Sequence, residues 1–194
     1  RGGSATKAIH YDAFIKPGAS KNWLTTSSVN MPGFPTNFIG SGVISSSTAL
    51  ACNVNTQSTG VGTKSSPYRL GTNAGFNDQQ VSPVMYVPQV VKNAGGWNSY
   101  VAVQNTANAN VTVNVAYYNA DGSPVTAANQ SSVVPPQSTK VFYQEDNAGL
   151  PDGFNGGAKI SAADGTSGLA VGVALTQNGA DYTKTQFLSY NGFG

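Results

Sequence analysis

Charge is what this sequence has least of. Asp, Glu, Lys and Arg make up 9% of 194 residues, and the formal net charge is +2; a globular domain usually carries about 25%. So weak a field attracts neither nucleic acid nor anionic lipid, and no lysine-rich face exists to do so locally. One cysteine, Cys52, excludes an intramolecular disulfide. Within Leu50-Ala51-Cys52-Asn53-Val54 it reads as a small hydrophobe buried in a strand. With one histidine, His10, the chain cannot assemble the roughly four nitrogen or sulfur ligands of a zinc centre. His10 and Asp12 share a face of an extended segment, yet no serine or cysteine stands in a nucleophile elbow beside them. The Gly-Gly pairs at 95–96 and 156–157 lack the Gly-Lys-Ser/Thr that completes a phosphate loop. The chain is therefore not read as an enzyme, and no metal or cofactor is expected. No apolar run approaches the ~20 residues of a membrane span, and Arg1–Ser4 does not open a signal peptide. A mature form, trimmed at its N-terminus, is the expectation.

Helical spacing of apolar residues is also lacking, whereas β-branched residues are frequent and 23 glycines and 10 prolines punctuate the chain at turn-like intervals. Val111–Tyr118 alternates apolar and polar positions with period two, the strongest strand signal present. Tyr86–Val91 and the segment from Trp97 read as two strands joined by the corner Asn93–Gly96. Further strands are expected within 4–13, at Lys21–Leu24, Gly42–Ser45, Ala49–Asn55, up to Tyr143, at Ala158–Ala162, Leu169–Gln177 and Thr185–Tyr190. Short strands at such spacing predict an all-β chain of immunoglobulin-like β-sandwich architecture, although the Cys…Trp…Cys pattern of true immunoglobulins is missing.

Segments recur in order along the chain. Phe34–Ser45 lies against Leu150–Ser161, Pro17–Trp23 against Pro136–Phe142, the Leu-Ala and Thr-Gln pairs of 50–57 against those of 169–177, and Asn73–Phe76 against Asn191–Phe193. Four ordered matches imply two tandem modules: residues 1–80, which lack the opening strands, and 81–194, a complete sandwich. Trp97, Trp23, Phe38 and Phe154 are the expected structural anchors.

The series YVPQVVKNAGGWNSYVAVQN, NVTVNVAYYNADG, VPPQSTKVF, LPDGFNGGAKIS and YNGFG resembles the repeat modules of large extracellular proteins of thermophilic filamentous bacteria. The resemblance spans roughly residues 84–194 and, in part, 5–76. It implies a place at the cell surface and supplies no catalytic residues.

An incomplete first module leaves an open sheet edge, which is a template for another chain. The resulting expectation is a structural subunit of an extracellular filament or surface layer. Identical subunits would assemble head to tail by β-strand donation from Arg1–Asp12 or Thr183–Gly194, with Ala8, Ile9, Tyr11, Phe187, Leu188 and Tyr190 at the contacts. The alternative is a secreted adhesive module whose exposed aromatics, among Trp23, Trp97, Tyr117, Tyr118 and Tyr143, stack on surface glycans. The loops Asp146–Gly153 and Asp164-Gly165 carry oxygen ligands suited to calcium but not its EF-hand spacing, and turn chemistry explains them without metal. Two Asn-X-Ser/Thr sequons, at Asn110 and Asn129, are candidate glycan acceptors.

Overall fold

Period-two alternation is what builds this structure. In β5 (Val111–Asn119), Val111, Val113, Val115 and Tyr117 are at most 2% exposed, while Thr112 and Asn114 between them face solvent. The computed structural model describes residues 9–26, 29–35, 38, 40–57, 70–177 and 187–194, and the chain divides into two units, 1–40 and 41–194.

Within the second unit the strands are β1 (Asn53–Gln57), β2 (Leu70–Ala74), β3 (Val84–Lys92), β4 (Trp97–Asn105), β5, β6 (Gln130–Val134), β7 (Thr139–Tyr143), β8 (Phe154–Ala162), β9 (Leu169–Gln177) and β10 (Phe187–Asn191). One turn of 3-10 helix, Thr126–Ala128, precedes β6. Every pairing is antiparallel. Sheet one runs β10-β9-β4-β7, sheet two β3-β8-β5-β6, and β1-β2 stand apart as a hairpin. The two four-stranded sheets pack face to face as a sandwich around Met85, Val87, Val101, Val103, Val113, Tyr117, Ile160, Val171 and their neighbours. Each such side chain removed from water contributes about 1.5–3 kcal/mol. The chain is thus all-β, with sandwich-like packing of its sheets.

Two devices tie the sheets together. Ser99, in β4, accepts from the Val91 N–H at 2.9 Å and donates to Gln144 at 2.9 Å; Gln144 donates to the Tyr117 hydroxyl at 3.1 Å, which donates to Gln130 at 2.8 Å. Burial in this network pushes the Tyr117 hydroxyl above its ordinary pKa, against the pull of its bonds to Gln144 and Asn147. The second device is Asn105, fully buried where β4 crosses to β5. Its amide nitrogen lies 2.7, 3.0 and 3.1 Å from the carbonyls of Ala109, Val134 and Pro135, and its carbonyl accepts from Ala107 N–H.

Several elements differ from the sequence expectation. β6 was hidden by its serines, and β8 begins at Phe154 rather than 158 because Gly156 and Gly157 disguise its alternation. Lys21–Leu24 and Gly42–Ser45, expected as strands, belong to no ladder, and the strand expected at Ala49–Asn55 starts only at Asn53. Of the segment 4–13, residues 4–8 lie outside the described residues and 9–13 form no strand. Apart from those at β6 and β8, the departures fall in residues 1–55.

Replacing Asn105 with Ala leaves buried carbonyls without a donor, at about 1–3 kcal/mol. The unfolding free energy of N105A is expected to fall by that amount, seen as a lower urea midpoint with an unchanged denaturant slope; a midpoint equal to the parent's would remove Asn105 from this role.

Candidate functional site

Local geometry in the N-terminal residues repeats that of the sandwich. The turn Lys16–Ala19 closes with Ala19 N–H on the Lys16 carbonyl at 3.0 Å and puts Gly18 at φ 74°. The turn Pro135–Ser138, between β6 and β7, closes with Ser138 N–H on Pro135 at 3.2 Å and puts Gln137 at φ 54°. Likewise Phe34 N–H reaches Met31 at 3.2 Å with Gly33 at φ 74°, as Phe154 N–H reaches Pro151 at 3.2 Å with Gly153 at φ 82°. Both are turns that need a left-handed third residue. The second aligns Phe34 with Phe154, four residues from the register of the sequence match, where Phe34 lies against Leu150. Finally, β1-β2 is an antiparallel hairpin where the sequence places it against β9-β10.

The matching turns and hairpin run, in order, from the β6–β7 turn to the β9–β10 hairpin. In the sandwich β6 pairs only with β5, β7 only with β4, β8 with β3 and β5, and β9 with β4 and β10. Without β3–β5, every pairing disappears except β9-β10. Among the described residues before β3, the one ladder that forms is β1-β2. The segments expected as strands at 21–24 and 42–45 stay out of ladders.

β1 is the exposed face of this situation. It has one ladder partner among the described residues, β2, whereas β9 has β4 on its other edge. Val54 is 54% exposed, and every described side chain from Ala51 to Thr56 faces solvent; the matching β9 buries Val173 and Leu175. Phe14, Leu24, Val29, Val43, Ile44 and Leu50 are exposed as well. Cys52, expected to be buried, is exposed for the same reason. β2 is held by β10: a Cβ at Gly71 would strike the Phe187 ring, and Asn191 donates to the Ala74 carbonyl at 2.9 Å and accepts from Asn73 at 3.0 Å. Phe187, Ser189 and Asn191 pair with Thr176, Ala174 and Gly172, on the sheet face away from the core. β2 is thereby anchored and β1 is left outermost.

The residues named from the sequence sit as follows. Ala8 lies outside the described residues. Ile9 is 41% exposed, and the Tyr11 hydroxyl donates to Pro32 at 3.0 Å. Phe187, Leu188 and Tyr190 belong to β10, already paired with β9; Leu188 is 53% exposed, and the half-buried Tyr190 donates to the Gln89 carbonyl. Burial pushes the Tyr190 hydroxyl up to about 12, against that bond. Phe154 is in the core, edge-on to Tyr117 at 6.5 Å, and Trp97 packs against the core partly buried. Trp23 is half-buried; Phe38 meets Phe34 edge-on at 4.8 Å. Asn110 and Asn129 are exposed.

A second surface feature lies on the outer face of sheet two. Tyr86 and Phe193, 44% and 57% exposed with ring centres 6.0 Å apart, border a groove of about 480 Å³ with Pro88, Tyr118, Gly157 and Lys159. Phe193 is fixed there by a pair of backbone hydrogen bonds with Tyr86. Of the aromatics proposed for glycan stacking, Tyr118 alone reaches this groove; Tyr117 is core, and Tyr143 stacks on Tyr100 at 5.9 Å. Sequence reasoning missed Tyr86 and Phe193 because their meeting depends on the C-terminal segment crossing from sheet one to sheet two.

The loop carboxylates are engaged in their own turns. Asp152 accepts from Asn93 at 2.8 Å. Asp164 accepts from the Ser167 hydroxyl at 2.6 Å and from the N–H groups of Ser167 and Thr166 at 3.0 Å each, which hold its carboxyl down to about 2. His10 and Asp12 stand 3.6 Å apart, both well exposed, and no cluster of metal-ligating residues forms among the described residues. A group with a depressed pKa stabilises its loop fully above the unfolded value near 4 and loses that effect as pH falls through about 2. Carboxyl NMR titration of Asp164 is expected to give a midpoint near 2, with S167A moving it upward; a midpoint near 4 in the parent would show an open loop.

No family model and no curated protein match the chain. Among solved structures, the crystal structure of Thermotoga maritima 1070 is similar over 58% of this chain and 93% of that chain, with 10% sequence identity and a TM-score of 0.47.

Proposed function

We propose that the chain is a structural subunit of an extracellular filament or surface layer, built from two immunoglobulin-like sandwich modules, the first of which is completed by β-strands from a neighbouring chain. The observation that carries this is the edge of β1, open among the described residues, together with the exposed aliphatic side chains of residues 43–54. An edge strand with unpaired N–H and C=O groups is a template for strand addition. Main-chain hydrogen bonds supply affinity, and pockets for alternate side chains supply register. Covering Val43, Ile44, Leu50 and Val54 adds about 25 cal/mol per Å² of apolar area. Between identical subunits such a contact is head to tail and, where the rotation does not close, it propagates as a filament. The sparse charge supports this reading, because little self-repulsion opposes stacking.

A glycan-binding role is the second reading, favoured by the aromatic groove of Tyr86, Tyr118 and Phe193. Lys159 is the charged group lining it, so affinity there would come from stacking rather than from a hydrogen-bonding cage. Titration of soluble oligosaccharides against the parent and Y118A separates the readings: binding that Y118A abolishes places the groove first.

The assembly reading is tested by light scattering and electron microscopy of the chain from micromolar to millimolar concentration. Elongated species that grow with concentration are expected, with Cys52 becoming slower to alkylate as they form. A monomer throughout, with Cys52 reacting at a free-thiol rate, would overturn assembly between identical subunits.

A further inference from the structure

Resting on the glycan reading of the aromatic groove, we infer that its ligand is an acidic saccharide, a pyranose chain bearing carboxylates, with Lys159 selecting the charge. The groove lies on the outer face of sheet two, which β3, β8 and β5 build with their alternate residues. Tyr86 stands opposite Lys159 across β3 and β8, and Ala116 of β5 stands opposite Lys159 on the other side. One step along, Gly157 lies opposite Tyr118, with Pro88 on its other flank. Neighbouring strands run about 4.8 Å apart, so Pro88 and Tyr118 are separated by about 10 Å with no side chain between them. Gly157 is thus the floor of the groove, and a Cβ there would lie 3.2 Å from the Val87 carbonyl and begin to fill it.

The lining restricts what can sit there. Tyr86, Pro88, Tyr118 and Phe193 present carbon, and Lys159 is the charged group among them. The groove's volume of about 480 Å³ falls in the ~300–1,000 Å³ range of small-molecule sites. A pyranose ring has an apolar C–H face and hydroxyls around its edge. Laid on the aromatic rings, it buries carbon against carbon and leaves its hydroxyls in water, so a surface poor in hydrogen-bonding groups carries no penalty. A peptide lacks that division, and amides pressed on the same surface lose water without gaining a partner. The edge of β3 does not supply one: Tyr86 gives its N–H and C=O to Phe193, and Pro88 has no N–H.

Lys159 sets the sign of the ligand. It is half-buried, and no carboxylate pairs with it among the described residues. Its cross-strand neighbours, Tyr86 and Ala116, are uncharged. A cation entering the groove meets repulsion, and a neutral sugar gains nothing from the ammonium beyond an ordinary hydrogen bond. A carboxylate on the ring edge forms a charge-assisted hydrogen bond with Nζ while the C–H face stays on the aromatic rings. Stacking therefore supplies affinity for saccharides in general, and Lys159 supplies preference for the acidic ones.

The test titrates tetragalacturonate and tetramannuronate, which differ in ring stereochemistry, into the full chain alongside their methyl esters and the neutral cellotetraose. Calorimetry and the amide shifts of residues 86, 118 and 159 are the readouts. An ester keeps the ring and removes the charge. At least one acid is expected to bind about tenfold more tightly than its ester, a preference that added salt erodes. K159Q is expected to bring acid and ester level, K159R to restore most of the gap, and Y118A to abolish binding of both. All three substitutions lie on the outer face, and a parent-like thermal midpoint for each shows the sandwich intact. Esters that bind as tightly as the acids, or a preference that survives K159Q, overturn the inference and leave the glycan reading standing. Cellotetraose binding without either acid has the same meaning. Silence from every saccharide sinks both, and a proline-rich peptide that binds the parent but not Y118A would then assign the groove to a peptide.

Discussion

A β-strand is stable when its backbone N–H and C=O groups are paired, and in this fold the pairing runs through two strands. β4 lies between β9 and β7, and β5 lies between β8 and β6. Each is the sole ladder partner of an edge strand, so the sheets exist only where β4 and β5 are present. Unpaired buried backbone groups cost too much to be tolerated, and a segment without its partner leaves the ladder and stays near solvent. Residues 84–177 form a sandwich around Val101, Val103, Val113 and Tyr117, while Phe14, Leu24, Val43 and Leu50 are exposed.

The segment of residues 93–105 holds the two ends of β4. Asn98 and Asn93 hold the β3–β4 hairpin through a reciprocal pair of bonds, 2.9 Å to the Asn93 N–H and 3.1 Å between the side chains. Trp97 packs against the core beside them, and Asn105 closes the other end of β4. The side chains of Asn98 and Asn105 both bond to backbone groups.

Legibility in the sequence followed burial. β5, alternating Val111, Val113, Val115 and Tyr117 with polar residues, was readable because one face is core and the other solvent. β9 was readable from its apolar run, Val171, Val173 and Leu175 being buried. β6 was not, since Gln130, Ser131 and Ser132 occupy an edge where packing asks little of the side chain. Gly156 and Gly157 blurred the start of β8 for a structural reason: a Cβ at Gly156 would collide with the Tyr118 carbonyl, so the closest backbone approach falls where alternation would have been read. The strands expected at 21–24 and 42–45 carry the right local pattern, and pattern alone does not state whether a partner strand is there. The groove of Tyr86, Tyr118 and Phe193 joins three distant segments and has no local signal at all.

Edges that are meant to stay free are usually protected, and the free edges here differ in this respect. β3 carries Pro88 and a register shift between Val87 and Val90, and Phe193 pairs with Tyr86 on its outer side. β7 carries Lys140, opposite Val103 on the core-side face yet exposed, where a charge opposes a further strand. β10 is covered on its outer face by β2. β1 has no such device, and neither does β6, Gln130–Val134, with Val133 exposed. Asn53-Val54-Asn55-Thr56-Gln57 holds no charge, no proline and no bulge, and its neighbours Leu50 and Cys52 add apolar surface beside the open bonds. Strand addition at β7 or β3 has to overcome charge or geometry, whereas at β1 it meets neither obstacle. The chain's shortage of charge extends to β1, where no charged side chain stands against backbone pairing.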